Sequence, residues 1–183
     1  MKALFLDHDG VICLLNNFGT RFKKGKGTMT DNSVLKRFDN FDKKAIKTLN
    51  EIIEESECEI IVSSDWKRWA TVEELGEYYE HQGIIKKPLD FTVSINDIQV
   101  PEDFKWDRNY DLEQTRCFEI QAWLDKHPEV THWVAVDDLF LGITEIDKIE
   151  HKTWGLKNFV WCPSVYEGIK QTGIKGKILS FLS

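Results

Sequence analysis

Three short apolar runs, each closed by polar residues, set the pattern of this chain. Lys2 to Leu6 runs into Asp7-His8-Asp9-Gly10, Cys58 to Val62 into Ser63-Ser64-Asp65-Trp66, and Thr131 to Val136 into Asp137-Asp138. Such runs predict strands buried on both faces of a sheet. Asn158 to Trp161 predicts a fourth strand and Phe91 to Ile95 a weaker one. Between them the period lengthens. Over Asp42 to Ser56, Ala45, Ile46, Leu49, Ile52 and Ile53 recur on one helical face. Thr71-Val72-Glu73-Glu74 matches a capping box, and Gly83 is a natural stop. The stripe of that helix is expected to be Trp69, Val72, Leu75 and Tyr79. Leu112 to Lys126 predicts a helix with Cys117, Ile120, Trp123 and Leu124 inward, ending before Pro128. Shorter helices are expected at Ser164 to Gln171 and Ile174 to Leu182. Strands alternating with helices predict an α/β fold, a parallel sheet with helices on both faces.

Two stretches lack a period. Residues 14–38 hold Gly19, Gly25 and Gly27 among basic side chains and read as a flap. Between Asn16 and Phe38, six basic residues face one acidic residue, a local charge of +5 in a chain whose net charge is −7. Such a run is either a solvated surface or an electropositive lip that attracts an anionic substrate. Residues 84–111, with Pro88, Pro101 and Asn96-Asp97, read as an irregular insertion. Neither stretch is long enough for a large helical cap, so an open site is expected.

Composition narrows the class. At 183 residues the chain fits one domain, 1–183, with a substantial core. The net charge argues against indiscriminate nucleic-acid binding. No apolar run approaches the roughly 18 residues of a membrane span, and no signal peptide is read ahead of the first strand. Cys13, Cys58, Cys117 and Cys162 show no metal spacing, which points to free thiols and a cytoplasmic protein. The seven tryptophans are scattered, which fits packing better than a stacking surface.

The chemistry lies where the strands end. In open α/β sheets ligands bind beyond the carboxyl ends of the strands. Asp7 and Asp9, one residue apart, point to one face while the strand persists. An Asx-turn alone would account for one such cluster. Its recurrence as Asp7/Asp9, Ser63/Ser64 and Asp137/Asp138 makes a metal and phosphate site the better reading. Carboxylate oxygens suit a hard cation such as Mg²⁺.

These motifs resemble the haloacid-dehalogenase-like (HAD) superfamily of hydrolases. Asp7-His8-Asp9-Gly10-Val11 is similar to its first motif, Ser63 to its second and Asp137-Asp138 to its fourth. Ser63-Ser64-Asp65-Trp66-Lys67, the run from Arg116 to Leu124, and Trp133 to Asp138 look like the phosphatase-like domain of "Swiss army knife" RNA repair proteins. The resemblance implies a Mg²⁺-dependent phosphomonoesterase with Asp7 as nucleophile and Asp9 as general acid and base. It implies Mg²⁺ held by Asp7, the Asp9 main-chain carbonyl and Asp137 or Asp138. Ser63 and the backbone after it, with Ser64 and Lys67, would contact the phosphoryl oxygens. Lys67 stands where relatives often carry arginine, which puts a bidentate contact in doubt.

A cation must also neutralise the transferring group. Arg116 and Lys87 both fit, and Arg116 is preferred for its place before the Asp-Asp strand. His8 and Trp66 read as packing residues, and Asp65 as a helix cap. The expected partner is a phosphorylated substrate, a nucleic-acid end or another large one, without a membrane. The competing reading is an inactive phosphate- and metal-binding module. A receiver domain also gathers aspartates, but in a different order and without need of Asp9.

Overall fold

The computed structural model describes residues 1–15, 32–100, 102, 104, 111–143 and 154–183. Five strands, β1 (Lys2–Leu6), β2 (Glu59–Val62), β3 (Asp90–Phe91), β4 (His132–Asp137) and β5 (Phe159–Trp161), form one parallel sheet. Their order is β3-β2-β1-β4-β5, so the first strand of the chain is central. Leu6 pairs in register with Val62 on one side and Val136 on the other. The residues that follow, Asp7, Ser63 and Asp137, therefore stand level at the ends of their strands. Register alone carries the three polar clusters to a common edge.

Strand side chains alternate between two cores, as a pleated strand dictates. Leu4, Leu6, Ile60, Val62, Val134 and Val136 face one side; Ala3, Phe5, Ile61 and Ala135 face the other. The first side is covered by α2 (Lys43–Ser56), α3 (Val72–Gln82) and α5 (Ile174–Leu182), the second by α4 (Asp111–Asp125). Leu49 and Ile52 of α2 and Ile178 of α5 are fully buried, each worth about 1.5–3 kcal/mol against exposure. The helix boundaries follow local chemistry. Asp42 Oδ1 accepts from the Lys44 and Ala45 N–H groups at 2.9 Å each. Thr71 and Glu74 close the capping box, and Gly83 takes φ 92° after α3.

Four expectations are corrected. Trp69 is exposed, because it ends a 3₁₀ turn, Asp65–Arg68, and precedes α3, so the helical period does not reach it. The stripe of α3 is instead Leu75, Tyr78 and Tyr79. The expected Phe91 to Ile95 strand is only Asp90–Phe91, since Ser94 caps a 3₁₀ turn at Ile95–Asp97. Ser164 to Gln171 holds no α-helix but a 3₁₀ turn, Gly168–Lys170, whose Gly168 (φ 51°) lies against the Val11 carbonyl.

The flap expected at 14–38 falls mainly on 16–31, outside the described residues. Its end is ordered as a short helix, α1 (Val34–Arg37), with Val34 and Phe38 in the first core. Arg37 there binds the Glu74 carboxylate at 2.8 and 2.7 Å, so one charge of the basic run is spent on structure. Residues 101, 103 and 105–110 of the expected insertion also lie outside the described residues. Among the described residues, no helix is long and apolar enough to cross a membrane. All four cysteines are buried free thiols.

Candidate active site

β1 hands over to a loop wound on a single carbonyl. The N–H groups of Val11, Ile12 and Cys13 all turn to His8 O, at 3.2, 2.9 and 2.7 Å. Gly10 permits this with φ 75°, where a Cβ would fall 2.3 Å from Asp138 Oδ2. Only glycine lets the first aspartate loop lie against the last one. The β1 backbone ladder continues into the site, with Asp7 N–H bonding Val136 O and Ser63 N–H bonding Leu6 O.

Arg116, from α4, reaches the middle of this edge. Its Nη1 donates to Asp7 Oδ1 at 2.9 Å, to Asp137 Oδ2 at 3.0 Å and to the Ser63 carbonyl. Burial opposes the guanidinium charge, but Asp137 and Asp7 outweigh it and hold Arg116 firmly protonated. Lys87 lies elsewhere, in an exposed pair with Glu80. Of the two candidate cations, the fold brings Arg116 to the aspartates.

Asp7, Asp137 and Asp138 each offer a carboxylate oxygen within 4.8 Å of the others. Burial, then Asp7, pushes Asp137 well above the usual carboxylate range, against the pull of Arg116. The same two causes push Asp138 up to about 6. Crowded, desolvated carboxylates with one guanidinium among them form an all-oxygen donor set that a hard divalent cation fits. The Asp9 side chain is outside this group. Its Oδ2 accepts from Trp66 Nε1 at 3.1 Å.

Ser63 Oγ is buried and has no hydrogen-bond partner among the described residues. An orphaned hydroxyl is costly unless a ligand satisfies it, and here it sits beside the aspartates. Ser64 behaves differently: its Oγ accepts from Trp66 N–H at 3.5 Å and caps the 3₁₀ turn. The cap expected of Asp65 therefore belongs to Ser64. Asp65 is the first residue of the turn and pairs with Arg68 at 3.3 Å on the surface.

Lys67 is turned away from solvent. Its Nζ donates to Glu119 Oε2 at 2.5 Å and Thr92 Oγ1 at 2.8 Å. Glu119 Oε1 accepts from Ile95 N–H at 3.0 Å. The pair thus ties the Ser63 turn to α4 and to the segment after β3. The sequence singles out Glu119 only as part of the Arg116 to Leu124 run of the resemblance, one helical turn after Arg116 and without a role, and it does not single out Thr92.

His8 is fully buried, stacked on Phe41 and tilted against Trp66. Its Nε2 meets Tyr79 Oη at 2.6 Å. Burial, then Asp7, keeps the Tyr79 hydroxyl protonated, so it donates to Nε2. Burial, then Arg116, lowers His8 to about 3. His8 is neutral at ordinary pH and packs beneath the loop.

No curated protein and no solved structure matches the chain. A family model described as the HAD domain in Swiss Army Knife RNA repair proteins matches residues 3–169. With the parallel sheet and the aspartate cluster in place, that match over most of its length shows that the chain belongs to this family of HAD-type hydrolase domains.

Proposed function

We propose that this protein is a Mg²⁺-dependent phosphomonoesterase that works through a phosphoryl group on Asp7. One observation carries the reading: Arg116 joins Asp7 to Asp137 beside an unpartnered Ser63 Oγ, with Asp9 two residues after Asp7. An Asp7 carboxylate oxygen attacks phosphorus and the bond to the leaving oxygen breaks. Asp9 gives its proton to that oxygen, then takes one from the water that attacks the phosphoryl group on Asp7. Inorganic phosphate leaves and Asp7 is restored. Ser63 Oγ donates to a phosphoryl oxygen, and Arg116 fixes the Asp7 carboxylate while countering negative charge. Asp7, Asp137 and Asp138, with the Asp9 carbonyl, would hold Mg²⁺, which when bound screens the repulsion between carboxylate and phosphate.

The substrate we favour is a phosphorylated nucleic-acid end. The family is named for RNA repair proteins. A cavity of about 460 Å³ is lined by Phe140, Phe159, Trp161, Lys157 and Lys177, and Trp161 is the lining residue that reaches Asp138. Trp161 is half exposed and its Nε1 donates to the Asp138 carbonyl at 2.9 Å, so an aromatic face stands next to the site. Aromatic faces with nearby cations are what single strands bind. The basic residues between Asn16 and Phe38 supply further charge. Four buried free thiols fit a reducing, cytoplasmic setting.

Phosphate release from p-nitrophenyl phosphate, nucleotides and oligonucleotides with terminal phosphates tests this. Turnover should require Mg²⁺, stop with EDTA and vanish in Asp7→Asn. Binding of Mg²⁺ and phosphate without turnover of any substrate would instead mark a binding module.

A further inference from the structure

We infer that Glu119 is a positioning residue that, through Lys67, holds the turn after Ser63 in place against the helix of Arg116. The inference rests on the phosphatase reading above and adds a part to it. Arg116 and Glu119 stand one helical turn apart on α4, and both are buried. Arg116 takes the Ser63 carbonyl at the entry to the 3₁₀ turn, and Glu119 takes Lys67 within it, Oε2 to Nζ at 2.5 Å. One helix thus grips this turn at two points. The bond of Ser63 N–H to Leu6 O, the stack of Trp66 on Phe38 and the bond of Arg37 to the Trp69 carbonyl also hold the turn. None of these three reaches α4, so the spacing between Ser63 and Arg116 is set by the two grips from the helix.

The Lys67–Glu119 pair is closed to substrate. An ammonium has three protons to give. Lys67 Nζ directs them to Glu119 Oε2, to Thr92 Oγ1 at 2.8 Å and to the Thr92 carbonyl at 3.4 Å. Thr92 is pinned in turn by its N–H to Val62 O at 2.9 Å, and Glu119 Oε1 accepts from Ile95 N–H at 3.0 Å. The side chains of Lys67 and Glu119 are only 10% and 5% exposed. With its protons engaged inside the protein, Lys67 is a strut and not the phosphate contact that the family resemblance implies. The strut matters because Ser63 Oγ and Arg116 must serve one phosphoryl group and its nucleophile together. A misplacement of about 1 Å between such groups can cost about 10²-fold.

The test compares Glu119→Gln, Lys67→Met and their combination, with p-nitrophenyl phosphate as substrate and inorganic phosphate as inhibitor. Each single change should lower kcat/KM by about tenfold to a hundredfold. The combination should lower it no further, because the pair acts as one unit. In a Ser63→Ala background, Glu119→Gln should cost at most about threefold, since much of its effect runs through that hydroxyl. The two single changes should weaken phosphate inhibition alike, within about twofold of each other. Were Lys67 a phosphate contact, Lys67→Met would weaken that inhibition, while Glu119→Gln, which releases the ammonium, would not. Such a divergence would overturn the inference, as would an undiminished loss in Ser63→Ala. Absence of turnover in the wild type would instead overturn the phosphatase reading. Either single change leaves one buried charge unpaired and can unfold the protein. The combination leaves none, and it carries the same comparison with Ser63→Ala. Activity of the combined variant within about twofold of the wild type would refute the inference.

Discussion

Arg116 and Asp7 lie 109 positions apart in sequence and 2.9 Å apart in the fold. The guanidinium nitrogen that holds Asp7 also holds Asp137, so one side chain organises the proposed nucleophile and a proposed metal ligand. Removing it leaves buried carboxylates facing one another. Arg116→Ala should lower kcat/KM about 10²–10³-fold, the range for loss of one electrostatic stabiliser. It should also destabilise the protein by about 3–5 kcal/mol, as loss of one partner of a buried pair does. Mg²⁺ should recover part of that stability, because it supplies charge to the same carboxylates. Activity assays and thermal melts with and without Mg²⁺ check both expectations. Arg116→Lys should fall between, since a shorter ammonium keeps the charge but not the reach that lets Nη1 touch Asp7 and Asp137 together.

Gly10 is required twice over, by its positive φ and by Asp138. Gly10→Ala should cost about 1–2 kcal/mol for the left-handed backbone, and more for the collision with Asp138. Because Asp138 must move, the rise in melting temperature that Mg²⁺ gives the wild type should shrink or vanish. A full Mg²⁺ response in a folded Gly10→Ala would show that Asp138 does not hold the ion.

His8 gives the pH dependence of stability a direction. Its value in the fold, about 3, is below the ordinary 6.5. The unfolded chain therefore takes up a proton that the fold refuses, and stability falls as pH drops from 6.5 towards 3. Between about pH 7 and 5 the loss from this group is about 2 kcal/mol. Asp138, raised to about 6, acts in the opposite sense, because acidification relieves its penalty. The difference between wild type and His8→Gln isolates the histidine: denaturant melts of the variant should lose less stability on acidification.

Trp161 should matter only for large substrates. Trp161→Ala should raise KM for a phosphorylated oligonucleotide roughly fivefold or more, the worth of one stacked base. Turnover of p-nitrophenyl phosphate should stay within about twofold. Equal effects on both would place Trp161 in the support of the Asp138 loop rather than in a strand-binding face.

Much of this site was legible in the sequence because it follows from strand ends. Buried strands announce themselves as apolar runs, and parallel register then brings Asp7, Ser63 and Asp137 level. The capping box at Thr71 and the stop at Gly83 were legible for the same local reason. What sequence could not show is long-range pairing. Nothing near Trp66 says that its N–H meets Asp9, 57 positions away, or that Lys67 meets Glu119, 52 positions away. α4 hid part of its buried face, because Gln114, Arg116 and Glu119 sit inside with Cys117, Ile120 and Trp123. A helix that serves both a core and a polar site blurs the apolar stripe that reveals ordinary amphipathic helices.

The most direct measurement is acid quenching of the enzyme during turnover with Mg²⁺ and a phosphate-labelled substrate. Label should be retained on the protein, map to the peptide that contains Asp7, and be released by hydroxylamine as an acyl phosphate is. It should be absent from Asp7→Asn. Steady turnover with no label on Asp7, or label that persists in Asp7→Asn, would contradict the proposed mechanism.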